Sequence, residues 1–172
     1  MKNLLLCILC FAGFGLWSQS TDQSVQKESI SFLSHNEEAI TGLGMAIPAE
    51  KFNWKPAEGV RTVGEVLMHT AASNYFILMN LGIKPPANID MMNMEKMEGK
   101  DKILDAVHAS FKFVNDNLLS VKDAQLGEMV KFPWAEMSKQ AVLFLLVDHT
   151  GEHKGQLIAY ARSVGVTPPW SK

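Results

Sequence analysis

His149 and His153 stand four residues apart in Asp148-His149-Thr150-Gly151-Glu152-His153, inside a long apolar helical pattern. At 3.6 residues per turn their side chains share one face of a helix. His69 lies on the apolar side of another predicted helix. Three neutral imidazoles meeting inside a bundle make a three-nitrogen metal site with open coordination positions, which suits catalysis better than structural closure. An ion held in that way acidifies a water toward a pKa of about 7, or acts as a Lewis acid on a thiol or carbonyl.

Other readings of these histidines are weaker. A lone histidine on an apolar face is commonly a hydrogen-bonded core residue, but a pair at i and i+4 reaches one ion without moving the backbone. The pair also spells H-x-x-E-H, the zinc signature of inverted metalloproteases, with Glu152 as general base. That pattern needs a downstream glutamate as third ligand, and no acidic residue follows His153. His35, in a polar patch with Asn36, Glu37 and Glu38, and His108, beside Val107, read as structural or exposed.

Four predicted helices must position the triad. The first spans about Ser24 to Met45, with Ile30, Leu33, Ile40 and Leu43 on its apolar side, after a polar run from Thr21 to Gln26 that reads as a short linker. The second opens on the capping box Thr62-Val63-Gly64-Glu65 and runs to about Leu81, before Gly82 and Pro85-Pro86. Val63, Val66, Leu67, Thr70, Asn74, Ile77 and Leu78 recur along it at helical spacing. A Met-rich connection from Asn88 to Met97 leads to a third helix over Gly99 to Leu119. A long crossover from Ser120 to Met137 then carries Lys131-Phe132-Pro133-Trp134, an extended piece over one end of the bundle. The fourth helix runs from near Ser138 to Gly165, and its first half is apolar all round, which predicts burial on several sides. The fold class is all-α, a four-helix bundle with long crossover connections rather than tight hairpins.

The N-terminus is a separate matter. Lys2, an apolar run from Leu4 to Trp17 and a small-residue exit read as a secretory signal peptide over residues 1–18, with the domain at 19–172. Cleavage after Ser20 is the runner-up, and the run is short for a membrane-spanning helix, so no stable anchor is expected. Both cysteines, Cys7 and Cys10, lie in the leader; Leu6 and Leu9 precede them where a lipoprotein signal needs a small residue. The mature chain would hold no thiol, hence neither disulfide nor thiol nucleophile. Without Lys2 the net charge becomes about −3, and no basic stripe exists, which argues against nucleic acid as a partner. The expected location is periplasmic or secreted.

Asn53-Trp54-Lys55-Pro56 followed by Arg61-Thr62-Val63-Gly64-Glu65-Val66-Leu67-Met68-His69 resembles the first half of the DinB-like metalloprotein pattern. Leu146-Val147-Asp148-His149-Thr150-Gly151-Glu152-His153-Lys154-Gly155-Gln156-Leu157, closing with Gly165-Val166-Thr167-Pro168-Pro169, resembles the second half. The resemblance implies a four-helix bundle in which His69, His149 and His153 bind one divalent metal. Around such ligands, partners on the second ring nitrogen set the tautomer; Glu65, Asp148 and Gln156 are candidates, and Asn74 and Tyr75 are candidate cavity residues. Trp54, Trp134 and Trp170 read as loop aromatics that cover the core.

Members similar to this chain include thiol-dependent S-transferases, although a small thiol cofactor is cytosolic and this chain reads as exported. The first expectation is therefore a metal-dependent transferase or hydrolase acting on a small molecule in the cell envelope. The second is a metal- or ligand-binding bundle without turnover, and a third feature to test is a homodimer face on the fourth helix. Three imidazoles suit zinc, nickel, copper and iron, with zinc or nickel the expected ion. A base such as Glu65 or Tyr75 near the ion would favour catalysis.

Overall fold

The computed structural model describes residues 22–171, so the leader and its cleavage site lie outside the described residues. Four helices carry the chain: α1 (Ser24–Ala46), α2 (Val63–Asn80), α3 (Lys100–Asn117) and α4 (Lys139–Ser163). Each forms where its apolar residues recur at helical spacing and ends where that pattern stops. The capping box at α2 is present in full, Thr62 Oγ1 accepting from the Glu65 backbone and Glu65 from the Thr62 backbone. Gly82, at φ +90°, and Gly165, at φ +81°, take the left-handed turn after α2 and after α4 that a side chain would resist.

The bundle is not an up-and-down series. α1 packs on α3 and α4, and α2 packs on the same two helices, so α1 and α2 face each other across the diagonal, as do α3 and α4. The chain must cross an end of the bundle after α1 and again after α3, which is why those connections are long. The second crossover differs from the all-helical expectation in one respect. It holds a small antiparallel hairpin, β1 (Met129–Lys131) with β2 (Glu136–Ser138), whose bend buries Phe132 and leaves Trp134 exposed.

Two apolar cores occupy the two ends. One gathers Ile40, Leu43, Leu67, Phe111 and Leu157; the other gathers Leu33, Leu78, Val114, Leu143 and Leu146. Buried hydrogen bonds lie between α1 and α4, where Asn36 donates to Thr150 Oγ1 at 2.8 Å, and between α2 and α3, where Asn74 donates to Ser110 Oγ at 3.1 Å. Along α4, the passage from one core to the other falls between Leu146 and Leu157, the stretch that contains both histidines.

One local expectation needs correction and a second needs refining. Gln26 belongs to no linker: it is buried in α1, where its amide donates to the Val121 carbonyl at 2.9 Å. The first half of α4 is buried through Val142, Leu143 and Leu146 but leaves one apolar side open, because Phe144 points outward and is 56% exposed. No helix among the described residues is long and apolar enough to cross a membrane.

Candidate metal centre

The helices bring His69, His149 and His153 together, with one ring nitrogen from each lying within 4.8 Å of the other two. His149 Nε2 is 3.3 Å from His69 Nε2 and 3.1 Å from His153 Nε2. Ligand nitrogens about 2.0–2.1 Å from a zinc ion lie about 3.3 Å apart at tetrahedral angles and about 2.9 Å apart at right angles. The two separations at His149 therefore match the spacing that one ion requires, and the third lies within 4.8 Å.

The tautomers follow from the neighbours. His69 Nδ1 is 2.8 Å from Glu95 Oε1, and a carboxylate only accepts, so Nδ1 carries the proton and Nε2 presents a lone pair. His153 Nδ1 is 2.9 Å from Gln156 Oε1, whose amide is fixed by donation from Nε2 to Tyr160 Oη at 3.0 Å. His153 Nε2 is thus also a bare lone pair. Both face His149 Nε2, which has at most one proton to share, and His149 Nδ1 is buried without a partner. Converging lone pairs that no protein donor can all satisfy are what a cation neutralises, so the donor set fits a divalent metal.

Electrostatics keep the rings ready. Burial lowers the His149 pKa to about 4, helped by the neighbouring His153, His69 and Arg61. Burial also lowers that of His69, with the Glu95 hydrogen bond pulling the other way and Arg61 and His153 adding to the fall. Both are neutral at neutral pH, the form that binds metal. For Glu95, burial works to raise the pKa, but hydrogen bonds from Arg61 and His69 outweigh it and hold the carboxylate ionised.

The outer partners form one circuit. The Arg61 guanidinium clamps Glu95 through Nε at 2.9 Å and Nη2 at 3.2 Å, while the Arg61 carbonyl accepts from Tyr160 Oη at 3.2 Å. His69 and His153 are thereby tied, through Glu95 on one side and Gln156–Tyr160 on the other, to one residue beside the α2 cap. The clamp is partly exposed, so its energy is small and its value is positional. Glu95→Gln is expected to weaken metal affinity about tenfold, within the range for outer partners of ligands, and Arg61→Ala by less. Competition with a chromophoric chelator reads both, and unchanged affinity in Glu95→Gln would remove Glu95 from this role.

Not every anticipated residue is at the site. Gln156 is. Glu65 is occupied by the helix cap, Asn74 by Ser110, and Tyr75 is buried against Phe113. Asp148 and Glu152 are exposed, so Glu152 is no metalloprotease base here. His35 is exposed, and His108 pairs with Glu37 at 3.0 Å. Glu95 comes from the Met-rich connection, and nothing in its spacing announces it. Trp54 packs edge-on to Tyr160, and Trp134 borders a cleft running outward from the histidines.

Solved structures share this architecture. A DinB-like protein from Bacillus cereus superposes with a TM-score of 0.68 at 20% identity, covering 83% of this chain and 95% of that one. A conserved protein from Enterococcus faecalis gives 0.67 at 19%, covering 80% and 95%. YfiT from Bacillus subtilis, described as a probable metal-dependent hydrolase with an unusual four-helix bundle topology, gives 0.68 at 15%, covering 87% and 93%. No curated protein sequence matches the chain. The sequence model of the DinB family matches residues 18–172, and together with the diagonal bundle and its three histidines this establishes that the chain belongs to the DinB family.

Proposed function

We propose that the chain is an exported metal-dependent hydrolase or transferase for a small molecule, with one divalent ion, zinc or nickel, held by His69, His149 and His153. The observation that carries this reading is the convergence of ring nitrogens whose far sides are fixed by Glu95 and Gln156. When bound, such an ion supplies Lewis acidity toward a carbonyl, a water or a thiol. Glu95 and Gln156 hold the protons on the outer nitrogens of His69 and His153, and Glu95 is the one carboxylate among the described residues lining the adjoining cleft. The metal-dependent hydrolase description of the Bacillus subtilis protein supports the hydrolytic branch. The apolar run from Leu4 to Trp17 supports export of residues 19–172 to the periplasm or medium.

The test is a panel of ester, amide and thiol-transfer assays on chain stripped with a chelator and then reloaded with zinc or nickel. Turnover is expected only in the loaded chain. Equal turnover after stripping would sink the metal-dependent reading. Absence of turnover from a loaded chain would favour a binding bundle without catalysis, a reading supported by one observation: Arg61 and His69 already engage Glu95.

The proposal includes a homodimer, with the outward face of α1 and α4 as its seam. Phe32 and Phe144, 62% and 56% exposed, border one shallow groove there with Val25 and Val147. Exposed aromatic pairs of this kind mark interaction surfaces. Light scattering of the purified domain should give twice the chain mass, falling to the chain mass in Phe144→Glu; a monomeric parent removes the dimer.

A further inference from the structure

His69 and His149 form one end of a cleft of about 380 Å³, and the rest of its lining is apolar apart from Ser73 and Glu95. Its floor is one face of α2, where Ala72, Ser73 and Phe76 follow His69 outward. Trp134 closes the outer end, stacked against Phe76 with ring centroids 6.1 Å apart and planes at 29°, and itself backed by Phe132 at 5.1 Å. Met91 and Met92, from the connection after α2, also line it; Met92 is 89% exposed and Trp134 64%. Such large apolar groups are held at a surface opening with nothing among the described residues covering them. No Lys or Arg is among the described residues lining the cleft, and its one carboxylate, Glu95, sits at the histidine end.

We propose that this cleft binds an uncharged, ring-bearing small molecule, its flat body against Phe76, Trp134 and the two methionines and its single polar group toward the histidines. Stacked aromatic faces favour planar rings, and thioethers pack adaptably against ring edges. A volume in this range accommodates a small organic ligand. Charge decides the class. An anionic body lying along these walls would lose water without gaining a cationic partner, at a cost of kilocalories. The same wall disfavours substrates or cofactors that carry several carboxylates. The inference deepens the proposed function by naming its substrate class, and rests on it only for the direction in which the polar group points.

The test uses metal-free chain, so that its failure is separable from failure of the metal reading, which metal content reports independently. Isothermal titration calorimetry with 2-naphthol and with 2-naphthoate compares one ring system with and without a formal charge. The neutral compound is expected to bind at least tenfold more tightly. Trp134→Ala, which removes an exposed side chain that belongs to neither core, and Ser73→Phe, which fills the cleft from α2, should each weaken 2-naphthol at least tenfold. Trp170→Ala, in the separate cavity of about 590 Å³ between α1 and α4, should not. Equal or tighter naphthoate binding overturns the charge argument. Binding of 2-naphthol that survives both cleft variants, or is lost with Trp170, places the ligand elsewhere and overturns the site. A chain that binds 2-naphthol through Trp134 yet takes up no metal keeps this inference and drops the catalytic reading.

Discussion

Replacing His149 or His153 with alanine is expected to take the purified, tag-free domain from about one equivalent of divalent metal to none, and His69→Ala should do the same. Each supplies one of three converging nitrogens, and two imidazoles alone are a poor chelate in water. The loss should exceed the tenfold expected for Glu95→Gln, because a ligand atom disappears rather than the group that orients it. His35→Ala should keep its metal, since His35 is exposed on α1 and outside the cluster. His108→Ala should also keep it, its ring being engaged with Glu37. Elemental analysis reads all five variants, with circular dichroism confirming that each remains helical. Equal retention in every variant, or equal loss, would sink the assignment of the triad.

The triad was legible in the sequence because each of its residues sits on a regular helix. An i, i+4 spacing fixes His149 and His153 on one face whatever the tertiary fold, and the Thr62–Glu65 cap sets the start of the helix that presents His69. The buried face of α3, from Ile103 through Val107, Phe111 and Val114, was legible for the same reason. Glu95 and Trp134 lie in connections, where no period links sequence distance to direction. Glu95 meets His69 because the connection after α2 folds back onto α2, and Trp134 meets Phe76 of α2 from the crossover after α3, placements that local pattern does not encode. The misplacement of Asn74 and Tyr75 has a simpler cause. At 100° per residue they lie about 140° and 240° round the helix from His69, whereas Ala72, Ser73 and Phe76 fall within about 60° of it. The cleft floor was thus available from helical arithmetic. Glu65 misled because a residue one turn from a ligand can serve either the ligand or the cap, and here the cap's backbone donor takes it.

The metal-free domain is expected to lose stability on acidification between about pH 6.5 and 4, before most carboxylates titrate. The sign follows from His149, whose pKa in the fold is about 4, below its ordinary 6.5. Between those values the unfolded chain binds more protons than the folded one, so stability rises with pH across the window and falls as pH drops through it. Above about pH 7 this group contributes no slope, because it is neutral in both states. His69, lowered for the same first reason of burial, acts in the same direction. Allowing for solvent reaching these partly buried rings, the loss is about 2 kcal/mol, or a fall of about 4–8 °C in Tm for a domain of this size.

Zinc sharpens the effect, since it binds only the neutral rings and must be displaced by protons. The increment in Tm that zinc confers at pH 7.5 should therefore vanish by about pH 5. Thermal melts across pH 4 to 8, with and without zinc, read both quantities. His149→Ala should flatten the metal-free slope and abolish the zinc increment together. A metal-free Tm that does not move between pH 6.5 and 4.5 in the parent would mean that the rings are solvated well enough to take protons freely. The burial that makes them a ready metal site would then be absent as well. The pH slope and the metal site thus stand on the same desolvation, and a single set of melts examines both.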